Sequence, residues 1–144
     1  MAITVRQLLN SKGHDVWWVT PDTLVFDALK LMADKDIGAV LVMEDGKLVG
    51  IFSERDYARK VILRGKSSKE TTVGELMSRN VVFVSPDQTL EECMVLMTER
   101  HIRHLPVVED GRVVGIITIG DVVHQIIKNQ RFTIEELKKY ITGG

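Results

Sequence analysis

Two short phrases place groups that could do chemistry. "GIFSERD" runs from Gly50 to Asp56 and "GIITIGD" from Gly115 to Asp121. Each sets a hydroxyl, Ser53 or Thr118, three residues before an aspartate, Asp56 or Asp121. That spacing is a helix cap: the hydroxyl takes a free N–H of the first turn, and the carboxylate suits the positive end of the helix dipole. It also suits a ligand. A carboxylate can accept from two neighbouring hydroxyls, such as those of a ribose. A hydroxyl beside free N–H groups at a helix start suits a phosphate. The two roles share the same residues and do not exclude each other.

The phrases close two copies of a longer pattern. Thr20 to Asp56 lies without a gap on Ser85 to Asp121, with Pro21/Pro86, Asp22/Asp87, Met32/Met97, Glu44/Glu109 and Gly46/Gly111 identical. "TVRQLL" from Thr4 resembles "TVGELM" from Thr72, and each opens on a capping-box pattern, Thr4 with Gln7 and Thr72 with Glu75. "VWWV" and "VVFV" read as strands. A Pro-Asp helix start follows. Val25, Ala28, Leu29 and Met32, or Leu90, Cys93, Met94 and Met97, then form an apolar helical stripe. "AVLVM" or "LPVVE", an Asp-Gly turn, and "LVGIF" or "VVGII" predict a tight hairpin. Helices start near Ser53 and Thr118. The fold class is α+β: tandem β-α-β-β-α repeats related by a pseudo-two-fold axis, with extra N- and C-terminal helices. The first repeat takes residues 1–68 (core 16–64). The second takes 69–144 (core 81–130), with the boundary near "RGKSSKE". A separate C-terminal helix is expected over 133–141, capped by Thr133 and Glu136. Trp17 and Trp18, adjacent on a strand, must face opposite ways, one of them into the core.

Composition narrows the function classes. The 144 residues are 44% hydrophobic and 27% charged, with a formal net charge of −1. No global field draws nucleic acid or an acidic membrane. The lone cysteine, Cys93, excludes an internal disulfide. No run is long enough to cross a bilayer, and the opening residues lack a secretory pattern. A cytoplasmic protein is expected. His101 and His104 are the nearest approach to a metal pair, and no carboxylate completes a set, so no metal is expected. There is no nucleophile–base pair, P-loop or dinucleotide glycine pattern. No catalytic residue is assigned, and an enzyme is the third choice, to be excluded by the absence of turnover on ATP or NAD.

The doubled β-α-β-β-α with "G-h-h-[ST]-x-x-D" closing each copy resembles a CBS-domain pair, or Bateman module, in its stand-alone, bacterial-type form. The resemblance covers almost the whole chain. It implies a regulatory sensor that binds an adenosine ligand (AMP, ADP, ATP, NAD or S-adenosylmethionine) in the cleft between copies. It also implies a homodimer, to which the C-terminal helix contributes, and a separate effector protein. It carries over a first seat of Ser53 and Asp56, where Arg55, Arg59 and Lys60 follow as cations. Val19 and Thr20 would read the base, and Arg103 would reach the phosphate from the other copy. The second seat is Thr118 and Asp121, with Val84 and Ser85 at the base and Gly38 and Ala39 opposite; His104 stands beside Arg103. Gly120, His124 and Gln125 replace the first seat's cations, so the Asp56 seat is expected to be rich in cations and the Asp121 seat poor. The richer seat would take ATP or a dinucleotide, the poorer AMP or nothing. The alternative is a ligand-free structural or protein-interaction module.

Overall fold

A computed structural model describes residues 2–141. The chain divides into two compact units, Asp15–Val82 and Met1–His14 with Phe83–Gly144. The division does not follow the order of the repeats. The opening helix of each repeat packs in the unit that holds the other repeat's hairpin, so 1–68 and 69–144 describe the sequence repeat and not the compact bodies.

In Asp15–Val82, strand β1 (Trp18–Val19) runs parallel to β2 (Ala39–Glu44), and β2 pairs antiparallel with β3 (Lys47–Ser53). Helix α2 (Val25–Lys35) makes the crossover, and its Val25, Ala28 and Met32 are buried. Asp45 and Gly46 turn the hairpin with φ of 52° and 75°, the left-handed pair that an Asp-Gly turn supplies. The short helix α3 (Glu54–Asp56) follows Ser53 and widens into a π-helical segment, Tyr57–Ile62. Helix α4 (Val73–Leu76) closes the unit. Val73 and Gly74 donate to the carbonyls of Thr23 and Pro21, and the core gathers around Phe52, Val40, Val42 and Val73.

The other unit repeats the plan. Helix α1 (Val5–Lys12) takes the place of α4, with Val5 and Arg6 donating to Gln88 and Pro86. Helix α5 (Leu90–Arg100) buries Leu90, Cys93 and Met97, and β4 (His104–Glu109) pairs with β5 (Arg112–Thr118) across the turn at Asp110 and Gly111. Helix α6 (Ile119–Ile141) follows Thr118.

Three expectations change. The strand expected at Val81–Val84 shrinks to one bridge, Val84 to Val107. The cause is Pro106. Its counterpart Leu41 gives its N–H to the Trp17 carbonyl, and proline has no N–H to give. Neither tryptophan is core: Trp17 is 38% and Trp18 55% exposed, and Val19 is the buried residue of β1. Lys35 instead stands 4.2 Å over the Trp17 ring. Finally, α6 does not restart at Thr133. The Thr133 hydroxyl donates to the Asn129 carbonyl one turn back, which leaves the helix backbone continuous. The side chain of Glu136 lies outside the described residues.

Candidate functional site

Both phrases form capping boxes. The Ser53 N–H and hydroxyl donate to Asp56 Oδ2 at 3.0 and 3.1 Å, and the Asp56 N–H donates to Ser53 Oγ at 3.2 Å. The Thr118 N–H donates to Asp121 Oδ2 at 2.9 Å, and the Asp121 N–H to Thr118 Oγ1 at 3.0 Å. The residues before the second strand complete each helix start. Glu54 N–H donates to the Gly38 carbonyl, and Ile119 N–H donates to the Arg103 carbonyl, both at 3.0 Å. Ala39 lies opposite Ser53, and His104 opposite Thr118. Gly38 and Ala39 thus flank Ser53 in the unit they share with it, as Arg103 and His104 flank Thr118.

The phrase glycines have a separate task. A Cβ on Gly50 would lie 2.5 Å from Met77 Sδ and 3.1 Å from the Ser78 carbonyl oxygen. A Cβ on Gly115 would lie 2.7 Å from Leu9 Cδ2. Each glycine admits the segment that opens the opposite repeat. Ile51 and Ser78 then exchange both main-chain bonds, 3.0 and 2.9 Å.

Each aspartate also meets a lysine. Lys60 Nζ lies 3.2 Å from Asp56 Oδ1 and donates to the Leu76 carbonyl at 2.9 Å. Ser78 Oγ reaches the same carboxylate oxygen at 3.4 Å. In the second unit Lys12, from α1, donates to Asp121 Oδ2 at 2.5 Å and to the Ile116 carbonyl at 2.7 Å. Lys12 thus gives the Asp121 phrase a cation that the sequence expectation did not count, while Gly120 and His124 still stand where the first phrase has Arg55 and Arg59. Sequence reasoning had no local signal for it. Lys12 lies 109 positions from Asp121, and the repeat alignment breaks just there, because the opening helices match at an offset of 68 and the rest of the repeat at 65. All four partners keep some solvent access, with side-chain exposures of 30% and 13% for Lys60 and Asp56, and 29% and 25% for Lys12 and Asp121.

Arg55, Arg59, Val19 and Thr20 share the unit of Asp56, and Val84 and Ser85 that of Asp121. Arg55 and Arg59 are exposed on the helical segment after Ser53. Thr20 N–H is taken by Thr23 Oγ1 and Ser85 N–H by Gln88 Oε1. Val84 uses its N–H on the Pro106 carbonyl and its carbonyl on Val108 N–H. Val19 sits opposite Val42, which in turn faces Gly50, so the strand end reaches the phrase across one intervening strand.

The CBS-domain family pattern matches residues 5–63 and 73–128. The chain belongs to the CBS-domain family. It is 39% identical over 150 residues to the mitochondrial CBS domain-containing protein CBSX3 of Arabidopsis thaliana, covering 98% of this chain and 73% of that one. A solved CBS-domain structure is 50% identical, with a TM-score of 0.85, over 88% of this chain and 99% of its own. The CBS domain pair of protein MJ0100, solved with 5′-methylthioadenosine and S-adenosylmethionine, is 27% identical with a TM-score of 0.80, over 90% of this chain and 99% of its own. This chain is a CBS-domain pair of the regulatory class.

Proposed function

We propose that this CBS pair is an adenine-nucleotide sensor with two seats and no chemistry of its own. Asp56 and Asp121 each accept the hydroxyls of a ribose. Ser53 and Thr118, at helix starts, face a phosphate. The observation that carries the reading is the doubled acid-and-hydroxyl helix start in a pair whose relative, MJ0100, holds two adenosine compounds. AMP, ATP or NAD is the ligand class. Arg55, Arg59 and Lys60 favour the longer phosphate chain at the first seat. The capping bonds do not oppose this, because they use Oδ2 of Asp56, while Lys60 and Ser78, the side chains seen at Oδ1 among the described residues, can move.

The signal passes as a population shift: ligand must bind one arrangement of the protein better than another. A separate effector protein would read that shift. A homodimer is the working assembly, supported by the apolar row Val123, Ile127, Ile134 and Leu137 left exposed on α6. No helix among the described residues is long and apolar enough to cross a membrane. A cytoplasmic site fits Cys93, a free buried thiol.

A thermal-shift panel on ligand-stripped protein tests the reading, with AMP, ADP, ATP, NAD, S-adenosylmethionine and GTP. A ligand at a hundredfold excess over its Kd adds about 2.7 kcal/mol, and each kcal/mol is worth roughly 2–8 °C at this size. Stabilisation by adenine nucleotides and not by GTP is expected. No shift with any of them would leave the phrases as caps and favour a ligand-free interaction module.

A further inference from the structure

Two other capping boxes end in a carboxylate: Thr72 with Glu75 ahead of α4, and Thr89 with Glu92 ahead of α5. Among the described residues neither carboxylate pairs with a lysine within 4.0 Å; Lys66 acts on Glu75 only at longer range. Both phrase aspartates do pair with one. A cap therefore does not need the lysine, and a solvated ion pair adds little stability. The two lysines also come from unmatched places. Lys60 sits one turn after Asp56, where the second repeat has Gln125. Lys12 sits at the end of α1, where the segment after α4 has Asn80. Yet each ammonium bridges the aspartate to a main-chain carbonyl, Leu76 or Ile116.

We propose that Lys12 is a positioning residue of the Asp121 seat. It rests on the reading of Asp121 as a ribose acceptor. The Lys12 ammonium is tethered to the fixed Ile116 carbonyl and holds Asp121 Oδ2, which the Thr118 N–H also holds. With one oxygen pinned twice, the direction of Oδ1 is set before a ligand arrives. A preset acceptor gives up less side-chain freedom on binding. The seat then depends on α1. Leu9 fixes that helix in the space above Gly115, while the ion pairs of Arg6 to Asp87 and Glu109 are solvent-exposed and add little to the docking.

The test is titration calorimetry with AMP on the full chain. Wild type is expected to show two sites. Lys12→Met weakens one of them roughly tenfold, the scale of one charge-assisted hydrogen bond, and leaves the other unchanged. Lys12→Arg restores most of the loss. Arg6→Ala, which removes only those exposed ion pairs of the same helix and touches no seat, keeps both affinities. In an Asp121→Ala background, Lys12→Met adds no further loss. Two wild-type affinities in Lys12→Met would overturn the proposal alone, and so would an equal loss in Arg6→Ala. A wild type that binds no AMP would overturn the ribose reading and this proposal with it.

Discussion

The two phrases are capped alike and charged differently. In Asp15–Val82 the lysine on the aspartate comes from the same helical segment, four residues on. In the other unit it comes from a helix 109 positions away. The helix after the phrase differs too. It widens into a π-helical segment at Tyr57–Ile62 in the first case, and runs on through Ile141 in the second. One arrangement of carboxylate, ammonium and main-chain carbonyl is thus encoded locally once and by tertiary docking once. The lesson is that a repeat can keep a side-chain arrangement while changing where its residues come from.

The comparison is broken hardest in the cores. Phe52 and Ile117 occupy the same β-strand position in the two units, and both are fully buried. Phe52→Ala should cost ~3–5 kcal/mol and Ile117→Ala ~2–5 kcal/mol in urea unfolding. A surface-like loss below 1 kcal/mol at either would contradict the matched cores.

The docking of the opening helices is next. Gly74 and Arg6 hold equivalent places, each donating its N–H to a proline carbonyl, Pro21 or Pro86. A Cβ on Gly74 would lie 2.9 Å from the Pro21 carbonyl oxygen and 3.0 Å from its Cβ. Main chain cannot step aside as a side-chain end can. Gly74→Ala should therefore lose about 1–3 kcal/mol through overpacking, read as a lowered Tm, although alanine is the better helix former. A neutral or stabilising result would mean that α4 can shift to a spacing that admits a Cβ, as α1 does at Arg6.

The caps should be nearly equal. Ser53→Ala and Thr118→Ala are each expected to cost about 1 kcal/mol. A much smaller loss at Ser53 would show that Lys60 and Ser78 hold Asp56 without the hydroxyl.

Near neutral pH the Cys93 thiol gives the smallest effect, and it shows only in alkali. Burial pushes the thiol up to about 11 from an ordinary 9.0. A raised value favours the protonated thiol in the folded state. Its contribution is complete below pH 9, shrinks as the unfolded chain ionises, and is lost by about pH 11. Urea midpoints should fall across that window, less steeply in Cys93→Ala, and native protein should react slowly with thiol reagents at pH 8. A rapid native reaction would contradict the burial.

Much of this was legible because its signals are local. The Asp-Gly turns, the apolar stripes of α2 and α5, and the hydroxyl-to-carboxylate spacings each lie within a few residues. They formed as read. Lys12 was not legible, since nothing near Asp121 in sequence points to α1. Nor was the exchange of opening helices between units, which depends on Gly50 and Gly115 admitting Met77 and Leu9. Pro106 was visible, but its effect on Val81–Val84 required knowing that Leu41 donates to Trp17. Thr133 misled because a threonine that starts a helix and one that bonds back within a helix look the same in sequence.

The most direct measurement is AMP titration calorimetry on wild type, Asp56→Ala and Asp121→Ala. Two sites in wild type, with a different one lost in each variant, is the predicted result. Wild-type affinity and stoichiometry in both variants would contradict the account, and the two phrases would be helix caps alone.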